Sequence, residues 1–565
     1  MRGIRGVALV AAAAWVLAAS VEAGASYIDL IGYPKLKTEL GAAVPTGAGV
    51  AVMQVEGKDT NGYYMPNTAD AQFTGKTFTN ATGTSTGMSS HAHQVGLNFY
   101  GNTISVAPGI TNITVYEVNN WLGTGFLKYG TTTAPSYSTA RIANHSWASD
   151  TGTASVNANI LRRVDYLVET DDFIHVVGVN NILEAGDTNE PLLADSYNAI
   201  AVGVTSGAHA TGTTAVDSVY VTGRTKPDLV APGESPQNTS IRTSWAAGMV
   251  SASAALLVET GHTQTGLSNG SYTSPRTALK IYHAETSEVV KAALMAGADR
   301  RTANGRGAEI TDYKVDTSNG LDSRFGAGQV NIYNSYHVLT GGEHNSAQDG
   351  NATAIGRYGF DYDPAFGGLS GSNTTGSYSF TADLTSLARE IFASLVWNID
   401  IRPSTGPGPT NPVGTATLYD LDLKLFDVTA VESLVAGSTS TVDNTENIWF
   451  NLLYGHSYRL DVVRGSGQSD FLWDYGLAWR VVPEPPLAGD ANLDHVVDFL
   501  DYVVVANNYG VGSTWIQGDV TGDGAVDFLD YVRIATNYGA HTPEPATLAL
   551  LGLGGLGVLL RRKRR

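Results

Sequence analysis

The rhythm of apolar and polar positions changes twice along this chain. From about Ala25 to Glu343, short apolar runs read as strands: GVAVMQV (49–55), ITVYEV (113–118), RIANHSW (141–147), FIHVVGV (173–179) and AIAVGVT (199–205). Between them, ANILRRVDYLVET (158–170) and the long segment after Ser244 repeat their apolar positions at helical spacing. Strands alternating with helices predict a parallel sheet with crossover helices on its faces. From about 344 to 480 the helical spacing disappears. FASLVWNIDI, LDLKLFDV, HSYRLDVV and YGLAWRV alternate with period two between Gly, Ser and Asn turns, which predicts an all-β sandwich. PEPP, Pro483 to Pro486, makes a stiff linker, and a small duplicated segment with helical stretches follows it.

Composition narrows the classes. A length of 565 residues suits about three or four domains. Hydrophobic content of 43% with 15% charged residues is globular rather than disordered. The net charge of −19, with no evident basic face, argues against nucleic acid as a partner. The absence of cysteine excludes disulfides, thiolate zinc sites and a cysteine nucleophile.

Both ends read as addresses. Arg2 and Arg5, an apolar run and the small-residue site Val21-Glu22-Ala23 form a secretory signal peptide over residues 1–23. At the other end, Pro543-Glu544-Pro545 precedes a fifteen-residue apolar segment, Ala546 to Leu560, and then Arg561 to Arg565 carry five positive charges. As a helix the segment spans about 22 Å, short of a hydrocarbon core of about 30 Å. This three-part pattern over 541–565 resembles the bacterial PEP-CTERM sorting signal. That resemblance implies transient membrane association, recognition by exosortase-type machinery, and export to the surface or exterior of a Gram-negative-type bacterium. A permanent tail anchor is the alternative.

The duplicated segment is the sharpest local signal. GDANLDHVVDFLDYVVVANNYG is echoed by GDVTGDGAVDFLDYVRIATNYG. A twelve-residue calcium loop supplies oxygens from positions 1, 3, 5, 7, 9 and 12. Here these are Asp490, Asn492, Asp494, the Val496 carbonyl, Asp498 and Asp501. In the second copy they are Asp519, Thr521, Asp523, the Ala525 carbonyl, Asp527 and Asp530. The loop–helix unit over 489–540 resembles a type I dockerin, which implies Ca²⁺ and a cohesin-like partner. Two departures stand out: His495 occupies the sharp-turn position where the second loop has Gly524, and Thr521 replaces a carboxylate or amide.

Ser244 opens a helix-forming run rich in Ala, Gly and Ser, RTSWAAGMVSASAALLVE (242–259). Two readings fit: small residues for close helix packing, or a nucleophile at the positive end of a helix. Its neighbours bear on the choice. GRTKPDLVAPG (223–233) and TSWAA (243–247) resemble paired signatures of subtilisin-like serine peptidases. SSHAHQVG (89–96) resembles their histidine box, SVAPGITNITVYEV the strand after it, ANHSWAS a substrate-flanking strand, VVGVNN the strand end bearing an oxyanion asparagine, SYNAIAVGVT a core strand, and DSRFGAGQVNIYNSY the closing helix.

The resemblance covers roughly residues 25 to 342. It implies an α/β fold, a protein or peptide substrate and an acyl-enzyme. By it, Ser244 is the nucleophile and His91 the general base, with His93 the obvious misassignment, and Asn180 the oxyanion donor, with Asn181 the alternative. Asn144 reads equally as a turn or capping residue.

The acid is where the pattern breaks. In GVAVMQVEGKD, Gln54 stands where the family carries aspartate. Glu56, two residues on, projects from the same face of a strand and is the favoured acid, with Gln54 as an uncharged orienter and Asp59 as the alternatives. Arg242 and Gly248 stand where the family has Gly and Pro. The domains expected are a signal peptide (1–23), a peptidase domain (24–342), a β-sandwich (343–480), a linker (481–488), the dockerin-like repeat (489–540) and the sorting signal (541–565). Three functions stay open: a secreted serine endopeptidase, a catalytically degenerate scaffold that binds and docks, or a carbohydrate-associated surface component that uses the sandwich as a glycan module. No propeptide of the usual size fits before the first strand.

Overall fold

The structure, a computed structural model, describes residues 27–85, 87–181, 189–237, 240–302, 309–367, 374–382, 388–404, 411–483, 487–494, 496–513 and 515–541. The expected signal peptide (1–23), residues 542–565 and His495 lie outside the described residues.

Seven parallel strands form the first sheet: β1 (Val52–Glu56), β2 (Thr77–Asn80), β3 (Asn112–Glu117), β4 (Ile142–His145), β5 (Ile174–Gly178), β6 (Ile200–Val204) and β7 (Leu229–Ala231), in the order β2-β3-β1-β4-β5-β6-β7. The interior strands β1, β4, β5 and β6 are buried throughout, as a sheet covered on both faces requires. The short edge strand β2, Thr-Phe-Thr-Asn, lacks an apolar run and is invisible to periodicity; it forms by pairing with β3.

Of the helices α1 (Ser90–Tyr100), α2 (Ala154–Asp171), α3 (Thr243–Thr263), α4 (Ser287–Gly297) and α5 (Ile332–Thr340), α2 and α3 pack on this sheet, and α1, α4 and α5 pack on α3. Helix α3 is almost wholly buried, because it runs between the sheet and α1. Its small residues are sterically required. A Cβ on Gly248 would sit 3.1 Å from the Val95 carbonyl of α1, and one on Gly178 at the end of β5 would sit 3.2 Å from the Thr243 carbonyl. The segment DSRFGAGQVNIYNSY is helical only from Ile332; Asn331 caps that helix by accepting from Asn334 N at 3.2 Å.

The second region has strands β8 (Tyr358–Phe366), β9 (Thr375–Thr381), β10 (Ala388–Val396), β11 (Leu421–Asp427), β12 (Ser433–Ser438), β13 (Thr445–Asn451), β14 (Ser457–Arg464) and β15 (Trp473–Pro483). They make two antiparallel sheets, β8-β15-β10-β13 and β9-β14-β11-β12, whose apolar faces share one core around Trp397, Tyr378, Leu423, Leu460 and Trp479. Strand β15 runs to Pro483, so three residues assigned to the linker belong to the sheet.

This two-sheet unit is fused to the first region. Phe360, Tyr362, Val396 and Ala478 belong to the same buried cluster as α3 and α4, while Ile399 and Ile401 join the cluster around α2. Polar groups seal the seam: Arg480 donates to the Ala296 and Ala298 carbonyls at 2.7 Å each, Asn447 to the Asn319 carbonyl at 3.0 Å, and Thr225 N to Asp443 at 2.8 Å.

The duplicated segment folds into α6 (Phe499–Asn508) and α7 (Phe528–Asn537) around Val497, Val505, Val526 and Ile534. Each helix opens on a reciprocal cap: Asp498 and Asp527 accept from the second residue of their helices, and Asp501 and Asp530 accept from the cap N–H groups at 2.8 Å.

Candidate active site

All seven strands point one way, so the carboxyl ends of the adjacent strands β1, β4 and β5 meet along one edge. Glu56 ends β1, Ser146 follows β4, and Asn180 and Asn181 follow β5. Such an edge is where ligands bind in open α/β sheets. Two helix starts converge on it, the first turn of α1 with His91 and the first turn of α3 with Ser244.

These parts form one chain of contacts. Glu56 Oε2 lies 2.8 Å from His91 Nδ1, and His91 Nε2 lies 3.0 Å from Ser244 Oγ. A carboxylate can only accept, so Nδ1 carries the proton and Nε2 is left as the basic nitrogen facing the hydroxyl. Glu56 is fully buried, Ser244 is buried, and the His91 side chain is 42% exposed. Burial works against a charged His91, but the charge and hydrogen bond of Glu56 prevail and raise its pKa above the ordinary histidine value. The Trp245 ring lies 5.2 Å from the His91 ring, tilted by 39°.

Gln54 holds the acid. Its Nε2 donates to Glu56 Oε1 at 2.7 Å and to the Ala92 carbonyl at 2.9 Å, and its Oε1 accepts from the Tyr100 hydroxyl. Asp59 is elsewhere: it closes a turn, accepting from Asn61 N at 2.8 Å and Tyr63 N at 2.9 Å. His93 is buried against Asp70, at 3.4 Å, and Gln237, at 3.2 Å. Burial lowers its pKa, with Asp70 opposing.

The two asparagines after β5 separate. Asn180 Oδ1 accepts from Glu190 N at 3.2 Å, whereas Asn181 Oδ1 accepts from Thr243 N at 3.0 Å, one residue from Ser244. Asn144 lies within β4 and donates to Ser251 of α3 at 3.0 Å. Ser146 was not singled out from sequence. Its hydroxyl donates to the Ser244 carbonyl at 3.0 Å, and its carbonyl accepts from Ser244 Oγ at 3.4 Å. Tyr100 and Trp245 were missed as well, since nothing in their spacing marks them as neighbours of β1 or His91.

In the duplicated loops, the carboxylates at positions 1 and 12, Asp490, Asp501, Asp519 and Asp530, are all buried. They hold the loop backbones. Asp501 accepts from Ala491, Asn492 and Asp498 N–H groups, and Asp519 from those of Gly522, Asp523 and Gly524. Burial nevertheless raises the Asp501 pKa. Asp498 and Asp527 cap their helices, and Asn492 donates to Asp494 at 2.9 Å. Thr521 accompanies Asp519 and Asp530 at 3.3 and 3.1 Å. Among the described residues, no group of three or more His, Asp or Glu side chains converges as a metal-binding set.

Comparison with known proteins places two parts of the chain. Residues 56–328 match the model of the subtilase family, and residues 541–565 match the PEP-CTERM protein-sorting motif. Among solved structures, the protease domain of PatA matches at 16% identity over 53% of this chain and 98% of its own, with a TM-score of 0.34. EpiP, the epidermin leader peptide processing serine protease from Staphylococcus aureus, matches at 15% over 55% and 80%, with a TM-score of 0.34. MycP1 from Mycobacterium smegmatis matches at 14% over 54% and 83%, with a TM-score of 0.30. No curated protein matches the chain.

Proposed function

We propose that this chain is an exported, surface-sorted serine endopeptidase in which Glu56, His91 and Ser244 act as the triad. The observation that carries the reading is the unbroken contact chain, 2.8 Å from acid to imidazole and 3.0 Å from imidazole to hydroxyl. Ser244 attacks the scissile carbonyl as His91 Nε2 takes its proton; Glu56 stays ionised and stabilises the imidazolium. Returning the proton to the leaving amine gives the acyl-enzyme, which water hydrolyses by the same route. Asn181, with its Oδ1 tied to Thr243 N, keeps its amide N–H groups for the oxyanion, and we assign it that role in place of Asn180. The scaffold reading rested on the altered acid position and on Arg242 and Gly248; a buried carboxylate already in contact with His91 answers the first of these and favours the enzyme.

The test is covalent. A fluorophosphonate is expected to label Ser244 in the full chain. Ser244→Ala should remove both the label and peptide hydrolysis, a loss of about 10⁶-fold in kcat, the magnitude known from subtilisin. Hydrolysis surviving in Ser244→Ala would end the assignment.

The PEP-CTERM motif supports export and handling by exosortase-type machinery. Among the described residues no helix is long and apolar enough to cross a membrane.

For the duplicated loops we propose Ca²⁺, on their all-oxygen donor sets and the buried carboxylates at positions 1 and 12. The second loop should bind more tightly. Its fourth position is Gly522 at φ 75, where the first loop forces Leu493 to φ 63, a conformation costing a non-glycine residue about 1–2 kcal/mol. Calorimetry on the full chain should show two unequal Ca²⁺ affinities. Asp519→Ala should delete the tighter one, and Leu493→Gly should strengthen the weaker. No heat with Ca²⁺, or a tighter first loop, would refute this. The first turns of α6 and α7 expose Phe499, Leu500, Phe528 and Leu529, a surface that fits a cohesin-like partner whose binding a calcium chelator should abolish.

A further inference from the structure

Arg242 stands at the start of α3, two residues before Ser244. Its backbone is pinned on both sides: its N–H donates to the Gly233 carbonyl at 2.9 Å, and its carbonyl accepts from Trp245 N and Ala246 N at 3.2 Å each. With φ −145 and ψ 147 the residue is extended, so the side chain leaves a fixed point beside the nucleophile. That side chain is exposed and pairs with no carboxylate among the described residues. The chain has 53 acidic residues against 34 basic ones, and several arginines elsewhere are paired with carboxylates, as Arg141 is to Glu285, Arg276 to Asp171 and Arg459 to Glu432. An exposed guanidinium two residues before Ser244, in so acidic a chain, is open to a counter-charge brought by a substrate.

We infer that Arg242 is a specificity-determining residue that selects peptides carrying an Asp or Glu side chain immediately beside the scissile bond. The inference rests on the peptidase reading. A substrate carbonyl placed at Ser244 Oγ brings the flanking side chains within reach of a long, planar, permanently charged group two residues away, and guanidinium binds carboxylate through two parallel hydrogen bonds. The amino-terminal end of α3 adds a partial positive charge on the same side. A peptide with Lys or Arg in that place would meet repulsion, so selection works by exclusion as well as attraction.

The experiment compares matched peptides that differ only in Asp, Asn or Lys next to the cleaved bond, using the full-length protein with fluorophosphonate labelling run alongside. The wild type should cleave the Asp peptide about 10–100-fold faster in kcat/KM than the Asn peptide, with the advantage shrinking as salt is added. Arg242→Glu should reverse the order in favour of Lys, and Arg242→Ala should level it, with Ser244 still labelled in both. Labelled protein that is indifferent to Asp against Asn, or an unchanged profile in Arg242→Glu, overturns the role of Arg242 alone. Wild-type protein that neither labels nor cleaves overturns the peptidase reading and this inference with it.

Discussion

Glu56→Gln should lower kcat by about 10⁴ while leaving the protein folded, because the amide preserves the shape of the side chain but cannot stabilise an imidazolium. The change should also show in the pH profile. His91 must be neutral to accept the Ser244 proton, and Glu56 raises its pKa above the ordinary value against the effect of burial. The wild-type activity is therefore lost as pH falls through a value above the ordinary histidine range. In Glu56→Gln that acidic limb should move to lower pH. The companion change separates the acids. Gln54→Asp replaces the amide that donates to Glu56 Oε1 and the Ala92 carbonyl with a second buried carboxylate against the first, so one of the two must hold a proton. Activity should fall. Kinetics in which Gln54→Asp gains activity and Glu56→Gln is nearly silent would transfer the role to position 54.

Arg480→Ala should destabilise the whole chain by about 3–5 kcal/mol, the range for stripping one partner from a buried charged network. The guanidinium is buried, lies 4.0 Å from the Phe392 ring centroid, sits 3.8 Å from Asp299, and is the donor to two carbonyls at the C-terminal end of α4, those of Ala296 within it and Ala298 just beyond. Removing it orphans both carbonyls at the seam between the two-sheet unit and the first region. Deleting residues 343–483 is the same experiment at full scale. It would bare Ala292, Ala293 and Met295 among the apolar residues in the cluster shared with Phe360 and Ala478, and the remaining domain should aggregate rather than fold. Thermal unfolding would decide the first case and solubility the second. A melting temperature unchanged in Arg480→Ala, or a soluble and active deletion variant, would show the two regions to be independent.

Much of this architecture is written locally. Apolar runs bounded by turns placed β1, β3, β4, β5 and β6 within a few residues, because burial on both faces of a parallel sheet demands such runs. The loss of helical spacing after 344 marked the two-sheet region, and the duplicated acidic loops marked α6 and α7, since their capping chemistry lies within a few residues of each helix start. Ser244 and His91 could be picked out by the order of short boxes alone. Tertiary structure decided what depends on convergence. Which side chain near the end of β1 meets His91 was open among Gln54, Glu56 and Asp59. Gln54 is drawn to Tyr100 and Ala92 of α1, which leaves Glu56 to reach the imidazole, while Asp59 is taken up by its own turn. Asn180 and Asn181 are one residue apart in a strand-end sequence that cannot say which turns toward α3. The fusion of the two regions, too, rests on Arg480, Asn447 and Asp443 meeting groups more than a hundred residues away. Periodicity records which face of an element is buried. It does not record what lies against that face, and the carboxylate that meets His91, the asparagine that meets α3 and the seam between the two regions are all of that second kind.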